Sequence, residues 1–279
     1  MVISTERSKK LKRTLTYIIL IFVFVIYIIP MFWIISTSFK EEKDAFAIPP
    51  KVIFKPTIEN YREAFTKRGI GKNFINSTLA AIGSSVFALM IGTPAAYAMS
   101  RFKFKKKEDL FFWFLSTRMA PPILAAIPIF IISRNWGLYD TRVLLTIIYM
   151  LINLSWVIWM MRSFFDEIPI QIDEACMVDG CNRFTALIRV ILPLAKPGLI
   201  ATTIFCLILA WNEYFFALVL TSVNAKTLPA AITAFLTVHG LLWGQMCAAG
   251  TLIMLPILIF VLFVQRHLVR GLTMGAMKG

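Results

Sequence analysis

Histidine is almost missing from this chain: His239 and His267 are the only two, and they lie far apart. No histidine-based metal centre or hydrolase constellation can be assembled from them. Cysteine is scarce as well. Cys176, Cys181, Cys206 and Cys247 show neither zinc nor haem spacing, and two of them sit inside apolar runs, so they read as small core hydrophobes. No catalytic residue and no metal ligand is nominated. A phosphate-binding loop is also missing: Gly71-Lys72-Asn73 lacks both the preceding glycine spacing and the following Ser or Thr. The third shortage is charge, which marks only 16% of residues.

What replaces charge is apolar surface. The chain is 58% hydrophobic with a mean hydropathy of +0.75. A soluble domain cannot hide that much apolar area, whereas a protein of several membrane spans can. The net charge of +14 would suit a nucleic-acid partner in a soluble protein. Here the basic residues flank apolar runs, so the lipid bilayer is the partner they imply, and nucleic acid is not.

Residues 1–14 are polar and basic, carrying Arg7, Lys9, Lys10, Lys12 and Arg13. The apolar run Leu15–Ile35 that follows starts like a signal peptide. It is as long as a membrane span, though, and no small-residue cleavage site follows it. It is read as a first transmembrane helix with the N-terminus inside. An external loop over 36–73 contains Pro49, Pro50 and Pro56 and a short helix around Asn60–Thr66. Further spans are expected at Phe74–Ser100, Leu110–Ser133, Thr141–Met161, Gly198–Ser222 and Cys247–Gln265, giving six helices with both termini on one side. In that arrangement the inside segments carry 17 Lys/Arg against 11 outside, and eight of those 11 fall in the long first loop beside five acids. The positive-inside bias supports this orientation.

Prolines recur inside the spans at Pro30, Pro94, Pro121, Pro122, Pro128 and Pro256. Each removes a backbone hydrogen bond and kinks its helix. Kinks suit a bundle with a cavity that opens and closes, and proline is also simply commoner in membrane helices. The second span is rich in small residues, among them Ala80, Ala81, Ser84, Ser85, Gly92, Ala95 and Ala96. They permit close helix contact and predict an internal or interface position.

Between Met161 and Gly198 the chain is cytoplasmic in this topology and unusually acidic. Pro169 can open a helix. Asp173 and Glu174 then lie in early turns, where negative charge suits the helix dipole, and Gly180 can end the helix in a left-handed conformation. A second helix begins at an Asn182 cap. Its apolar residues Phe184, Leu187, Ile188 and Ile191 recur at helical spacing, and Pro193 and Pro197 mark its end.

Glu174-Ala175-Cys176 is followed after three residues by Gly180, and after nine more by Val190-Ile191-Leu192-Pro193. This resembles the Glu-Ala-Ala, Gly, Ile-any-Leu-Pro coupling loop of ABC importer permeases, with Cys176 in place of Ala and Val190 in place of Ile. Gly137-Leu138-Tyr139-Asp140-Thr141, Trp211-Asn212-Glu213-Tyr214-Phe215, Thr227-Leu228-Pro229 and Arg270-Gly271-Leu272-Thr273 look like the carbohydrate-importer branch. The similar type there is the second permease subunit of maltose-type systems, and the resemblance runs from about residue 15 to the C-terminus.

The resemblance implies an all-α polytopic membrane protein: a cytoplasmic stretch 1–14, a permease domain 15–266 of six helices with a coupling loop at 162–197, and a cytoplasmic tail 267–279. It implies the bacterial inner membrane, with both termini cytoplasmic. Its implied partners are a second homologous permease subunit, a dimer of cytoplasmic ABC ATPases and an extracytoplasmic solute-binding protein. This chain then carries no cofactor and is no enzyme, because ATP and Mg belong to the partner ATPase. The ATPase contact is expected at Asp173, Glu174, Ala175, Asp179, Gly180, Leu192 and Pro193.

Polar residues inside spans are costly and face the bundle interior. Arg118, Asn153 and the pair Asn212-Glu213 fall at mid-depth by residue count. Arg118 and Glu213 pair across a path for a sugar, or they hold helices together. Trp211 and Tyr214 offer aromatic faces to a sugar ring. Three other readings compete. An ion-driven secondary transporter would show paired acids within spans, and Glu213 is the one clear case. A membrane-embedded enzyme would need convergent His, Asp or Cys groups. An ABC permease for another solute shares the architecture.

Overall fold

A computed structural model of the chain describes residues 2–237 and 240–276. His239 and the last three residues of the expected tail lie outside that range. The described chain is mostly helical: α1 Val2–Ser38, α2 Glu42–Ala45, α3 Glu59–Arg68, α4 Ile70–Arg101, α5 Lys107–Ser116, α6 Pro122–Asn135 and α7 Arg142–Asp166. There follow α8 Ile170–Val178, α9 Arg183–Ala186, a π-helical turn Leu187–Ile191, α10 Leu192–Leu194, α11 Lys196–Trp211, α12 Phe215–Leu220 and α13 Leu228–Ala231. A 3-10 turn Ile232–Phe235, a two-residue antiparallel pair β1 Leu236–Thr237 with β2 Gly240–Leu241, and α14 Trp243–Ala276 complete it. Thus α14 continues through most of the stretch read as a tail. Among the described residues four helices are long and apolar enough to cross a membrane, those at Lys12–Ser38, Ile70–Arg101, Arg142–Asp166 and Trp243–Leu262, and the bent pair Arg183–Leu194 with Lys196–Trp211 would make a fifth.

The chain divides into two compact units. One comprises residues 70–231 and 253–279. Its core is the packing of α4 against α7, and the sequence of α4 explains it. Ala80, Ser84, Ala88, Gly92 and Ala96 recur every four residues and are all buried, so they form one stripe of small side chains. The α7 backbone comes close enough that a Cβ at Gly92 would stand 2.7 Å from Val157 Cγ1. Near the α8 end, Tyr97, Met161, Phe165, Leu187, Ile191 and Cys206 form one buried apolar cluster. The small-residue face of α4 is therefore buried against α7, while its other face, with Ile75, Leu79, Ile82, Val86 and Met90, is exposed.

Two of the expected continuous spans are broken. The segment read as Leu110–Ser133 stops at Ser116 and restarts at Pro122. Pro121 and Pro122 have no N–H to continue the helix, and the Ser116 and Thr117 hydroxyls turn back to the carbonyls of Trp113 (2.9 Å) and Phe114 (2.7 Å). The segment read as Gly198–Ser222 breaks over Asn212–Tyr214. There the Glu213 carboxylate accepts from the backbone N–H groups of Phe216 (3.0 Å) and Ala217 (3.2 Å) and starts α12.

The second unit comprises residues 1–69 and 232–252. Asn60 Nδ2 donates to the carbonyls of Ser38 (2.9 Å) and Lys40 (2.7 Å), and Tyr61 shares a 2.8 Å hydroxyl bond with Ser38. Lys40 is 1% exposed, with its ammonium over the Trp33 ring at 4.1 Å. Arg68 Nη1 donates to Ala234 O (3.0 Å), and Gln245 Nε2 to Glu63 Oε2 (2.5 Å).

Because Gly92 faces Val157 with no room for a side chain, Gly92→Val should overpack α4 against α7. A destabilisation of about 1–3 kcal/mol is expected, seen as a lower Tm of the detergent-purified protein by tryptophan fluorescence. An unchanged Tm would contradict the packing described.

Candidate functional site

The 162–197 segment is organised by one buried charge. Asp173 lies in the first turn of α8 and is turned inward. Its Oδ1 accepts from the Tyr97 hydroxyl at 2.5 Å and its Oδ2 from Arg101 Nε at 2.9 Å. The two charged side chains are only 5% and 2% exposed. Arg101 spends its other N–H groups on the end of α7 and the turn after it. Nη1 donates to Phe165 O (2.9 Å) and to Ser100 Oγ (3.1 Å), and Nη2 donates to Ile168 O (2.9 Å). A helix C-terminus leaves carbonyls unsatisfied and favours a cation. One guanidinium therefore ties the end of α4, the end of α7 and the start of α8. Ser100 Oγ also donates to Asp166 Oδ1 (2.5 Å). Arg162 donates to both oxygens of Glu108, at 3.1 and 2.6 Å, and so links α7 to α5.

The rest of the hairpin follows local sequence chemistry. Gly180 takes φ +88°, and Cys181 N–H donates to Cys176 O at 3.0 Å. Asn182 caps α9, its Oδ1 accepting from Thr185 N at 2.8 Å. Helix 183–194 then bends by 84° into α11. Gly198 sits under the Phe164 ring, where a Cβ would not fit.

This geometry sorts the residues expected to meet an ATPase. Glu174, Ala175, Asp179, Gly180 and Pro193 are exposed, joined by Val178 and Phe184. Leu192 is half-buried against the apolar cluster. Asp173 is the correction: it faces Arg101 and not the surface, because an arginine enclosed at that depth demands a counter-charge.

The residues expected along a solute path separate as well. A cavity of about 420 Å³ is walled by apolar side chains such as Leu124, Ile148, Leu209 and Phe216, and Arg118 and Glu213 are its two charged groups. It sits at the two helix breaks. Arg118 Nη1 donates to Ile152 O (3.0 Å) and the guanidinium lies over the Trp156 ring at 5.1 Å. Glu213 is held by the α12 backbone, and among the described residues no ion pair joins the two. Thr117 and Ser155, whose hydroxyls are 3.3 Å apart, also line the cavity and were not singled out from sequence.

Asn153 and Trp211 are corrections. Asn153 is 1% exposed and donates to Cys206 O (3.2 Å). Trp211 is 3% exposed, donates from Nε1 to Ile253 O (3.0 Å) and meets Phe74 edge-on at 5.4 Å. Their N–H groups serve helix packing, because a buried amide or indole N–H needs a partner, while Asn153 Oδ1 is buried without one. Asn212 and Tyr214 are exposed but do not line this cavity.

A third polar device lies at the opposite end of α7. Asp140 adopts φ +59°. Its carboxylate accepts from the backbone N–H groups of Ser222, Val223, Asn224 and Ala225 at 2.9–3.1 Å. Burial would raise its pKa. The N–H groups of Ala225, Ser222, Asn224 and Val223 outweigh that and hold the carboxyl at about 2. Asn76 reinforces the same end, donating to Asn224 O and Lys226 O (both 2.9 Å) and accepting from Arg142 Nε (2.7 Å).

Residues 88–274 match the family described as binding-protein-dependent transport system inner membrane component. The chain belongs to this family. It is a permease, a membrane transport component and not an enzyme. It is 36% identical over 275 residues to a probable ABC transporter permease protein of Sinorhizobium fredii, covering 99% of this chain and 98% of the relative. It is 34% identical over 277 residues to the trehalose/maltose transport system permease protein of Thermococcus litoralis, covering 98% and 99%. In fold it is similar to a chain of a bacterial ABC transporter involved in the import of the acidic polysaccharide alginate. That match has a TM-score of 0.76 at 23% identity, over 93% of this permease and 97% of that chain.

Removing one partner of a buried ion pair strands the other. Arg101→Ala in the permease is expected to cost about 3–5 kcal/mol, and Arg101→Ala with Asp173→Ala together less than the sum of the two. A double-mutant cycle by thermal unfolding in detergent checks this; additive losses would contradict the pairing. Asp140 gives a pH signature. Its folded value of about 2 lies below the usual 3.8, so the clamp stabilises above about pH 4 and is lost as pH falls toward about 2. The Tm difference between wild type and Asp140→Asn should be present at pH 6 and should close over that acid range. A pH-independent difference would refute the clamp.

Proposed function

We propose that this permease forms half of the translocation path for a sugar or sugar-like solute in an ATP-driven importer. It couples to a cytoplasmic ATPase through the 173–193 hairpin. The observation that carries this reading is the Asp173–Arg101–Tyr97 junction. It anchors the hairpin to α4 and α7, which pack closely on each other, while Glu174 and its neighbours face outward. A force on the outward face would move the helix ends as one body. The partners in this reading are a second permease subunit, a pair of ATPases holding ATP and Mg, and an extracytoplasmic binding protein. The family's description as binding-protein-dependent supports the last of these.

Six crossings with both termini cytoplasmic are part of the proposal, and contact parity supports them. Asn76 at the start of α4 bonds Arg142 at the start of α7. The chain crosses once along α4, so it must cross back before residue 142, and only the broken α5–α6 segment lies between. Asp140 likewise bonds residues 222–225. The chain crosses along α7, so it must return through α11 and α12. At the other end, Arg101 meets Asp173 and Glu108 meets Arg162, which puts both ends on one side. Adding α1 and α14 gives six. The basic excess beside the hairpin supports a cytoplasmic placement of that side. Residues 1–14 then start inside, the permease domain spans 15–266, and 267–279 return to the cytoplasm.

A saccharide fits the named transport roles of the relatives, trehalose/maltose and alginate. In the cavity, Arg118 and Glu213 would hydrogen-bond hydroxyls while the apolar walls take the ring faces.

Glu174→Ala and Gly180→Val should abolish solute uptake into proteoliposomes holding the reconstituted complex, with membrane insertion of the permease unchanged. Wild-type uptake in either variant would refute the coupling role.

A further inference from the structure

The unit formed by residues 1–69 and 232–252 contains a pocket of about 200 Å³ that the transport reading leaves unused. Glu41, Glu42, Glu59, Asn60, Glu63 and Gln245 line it. Its polar chemistry is one-sided. Asn60 directs Nδ2 to the carbonyls of Ser38 and Lys40, which leaves its Oδ1 as an acceptor. Gln245 is 9% exposed and directs Nε2 to Glu63, and its buried Oε1 has no hydrogen-bond partner. The Thr57 hydroxyl accepts from Glu59 N at 3.2 Å and keeps one O–H to donate. Four carboxylates and two amide oxygens therefore outnumber the side-chain donors of the lining residues, and a buried acceptor without a donor is costly.

The cations nearby do not remove the imbalance. Lys43 pairs with Glu41, Arg62 with Glu59 and Lys67 with Glu63, but all three are largely exposed, where pairing is weak. Glu42 has no ion-pair partner among the described residues. This acidic pocket stands out in a chain of net charge +14. The glycine at 244 shapes it: a Cβ there would lie 2.5 Å from Asn60 Oδ1. Among the described residues no three His, Cys, Asp or Glu groups are placed to hold a metal ion. The fit is to an extended organic cation. A guanidinium offers five N–H donors in a planar fork and no acceptor.

We infer that this pocket receives a basic side chain, an arginine, of the extracytoplasmic solute-binding protein. The inference rests on the proposed topology and partner. In that topology the loop after α1 and the start of α14 both lie outside. A volume of about 200 Å³ accepts one long side chain, and the clustered carboxylates steer a positive patch toward it.

The test uses the complete transporter in nanodiscs, with ATPase activity titrated against its solute-loaded binding protein. The double variant Glu42→Gln with Glu59→Gln should raise the half-saturating concentration of binding protein about tenfold, leave the maximal rate unchanged and flatten its salt dependence. Glu42 and Glu59 are both exposed, so the amides should not disturb the fold. Glu42→Asp, which keeps the charge, should stay near wild type. An unchanged half-saturation and salt slope in the double variant would overturn the inference while leaving the importer reading intact. A calcium-dependent gain in thermal stability with unchanged half-saturation would assign the pocket to a metal ion and overturn it too. If the binding protein does not stimulate the wild type at all, the importer reading falls and the inference with it.

Discussion

The ion pair between Arg101 and Asp173 is the constraint on which the architecture of the hairpin end depends. Two charges at 2.9 Å and almost wholly enclosed are tolerable only if every hydrogen-bonding valence near them is met. Tyr97, Phe165 O, Ile168 O and Ser100 meet them. That requirement pins three helix ends together. It also decides which face of α8 looks outward, because turning Asp173 inward turns Glu174, Ala175 and Val178 out. The exposed face of the hairpin is thus a consequence of a buried pair.

Of the helices that the pair ties together, α7 also walls the cavity. The four-residue repeat of small side chains in α4 lets α7 approach until Gly92 meets Val157, so the two helices move little relative to one another. The helices are interrupted instead at Pro121-Pro122 and Asn212–Tyr214, and the cavity with Arg118 and Glu213 lies there. A rigid pair of helices joined to a hairpin, next to two interrupted helices around a cavity, is a workable lever for alternating access. On the other side of α7, the Asp140 carboxylate gathers four backbone N–H groups and keeps the returning chain in register.

The membrane character, the hairpin, its Gly180 turn and its Asn182 cap were legible in the sequence because each rests on local chemistry or short spacing. The small-residue stripe was legible for the same reason. The inward turn of Asp173 was not. Its partner Arg101 is far away in the chain and heads a run of lysines, so it read as one more positive-inside charge. Asn153 and Trp211 were assigned to a solute path because mid-depth polar groups face the interior. The interior they face is a neighbouring helix, and residue count along a span cannot distinguish packing from cavity. Arg118 and Glu213 do share the cavity, although each is held by backbone groups and not by the other. The helix breaks were not legible as breaks: the proline pair read as a kink within one continuous span, and the other break needs the Glu213 carboxylate to start a new helix.

The central claim is that the hairpin and the end of α4 move as one body. The most direct measurement places spin labels at Val178 and Lys103 in the assembled transporter, and records their distance distribution without nucleotide and with trapped ATP. A second pair, at Met119 and Tyr214 beside the two helix breaks, reports on the cavity region. The account predicts an unchanged distance for the first pair while the second pair shifts. A first-pair distance that changes with nucleotide, with the second pair fixed, would contradict it.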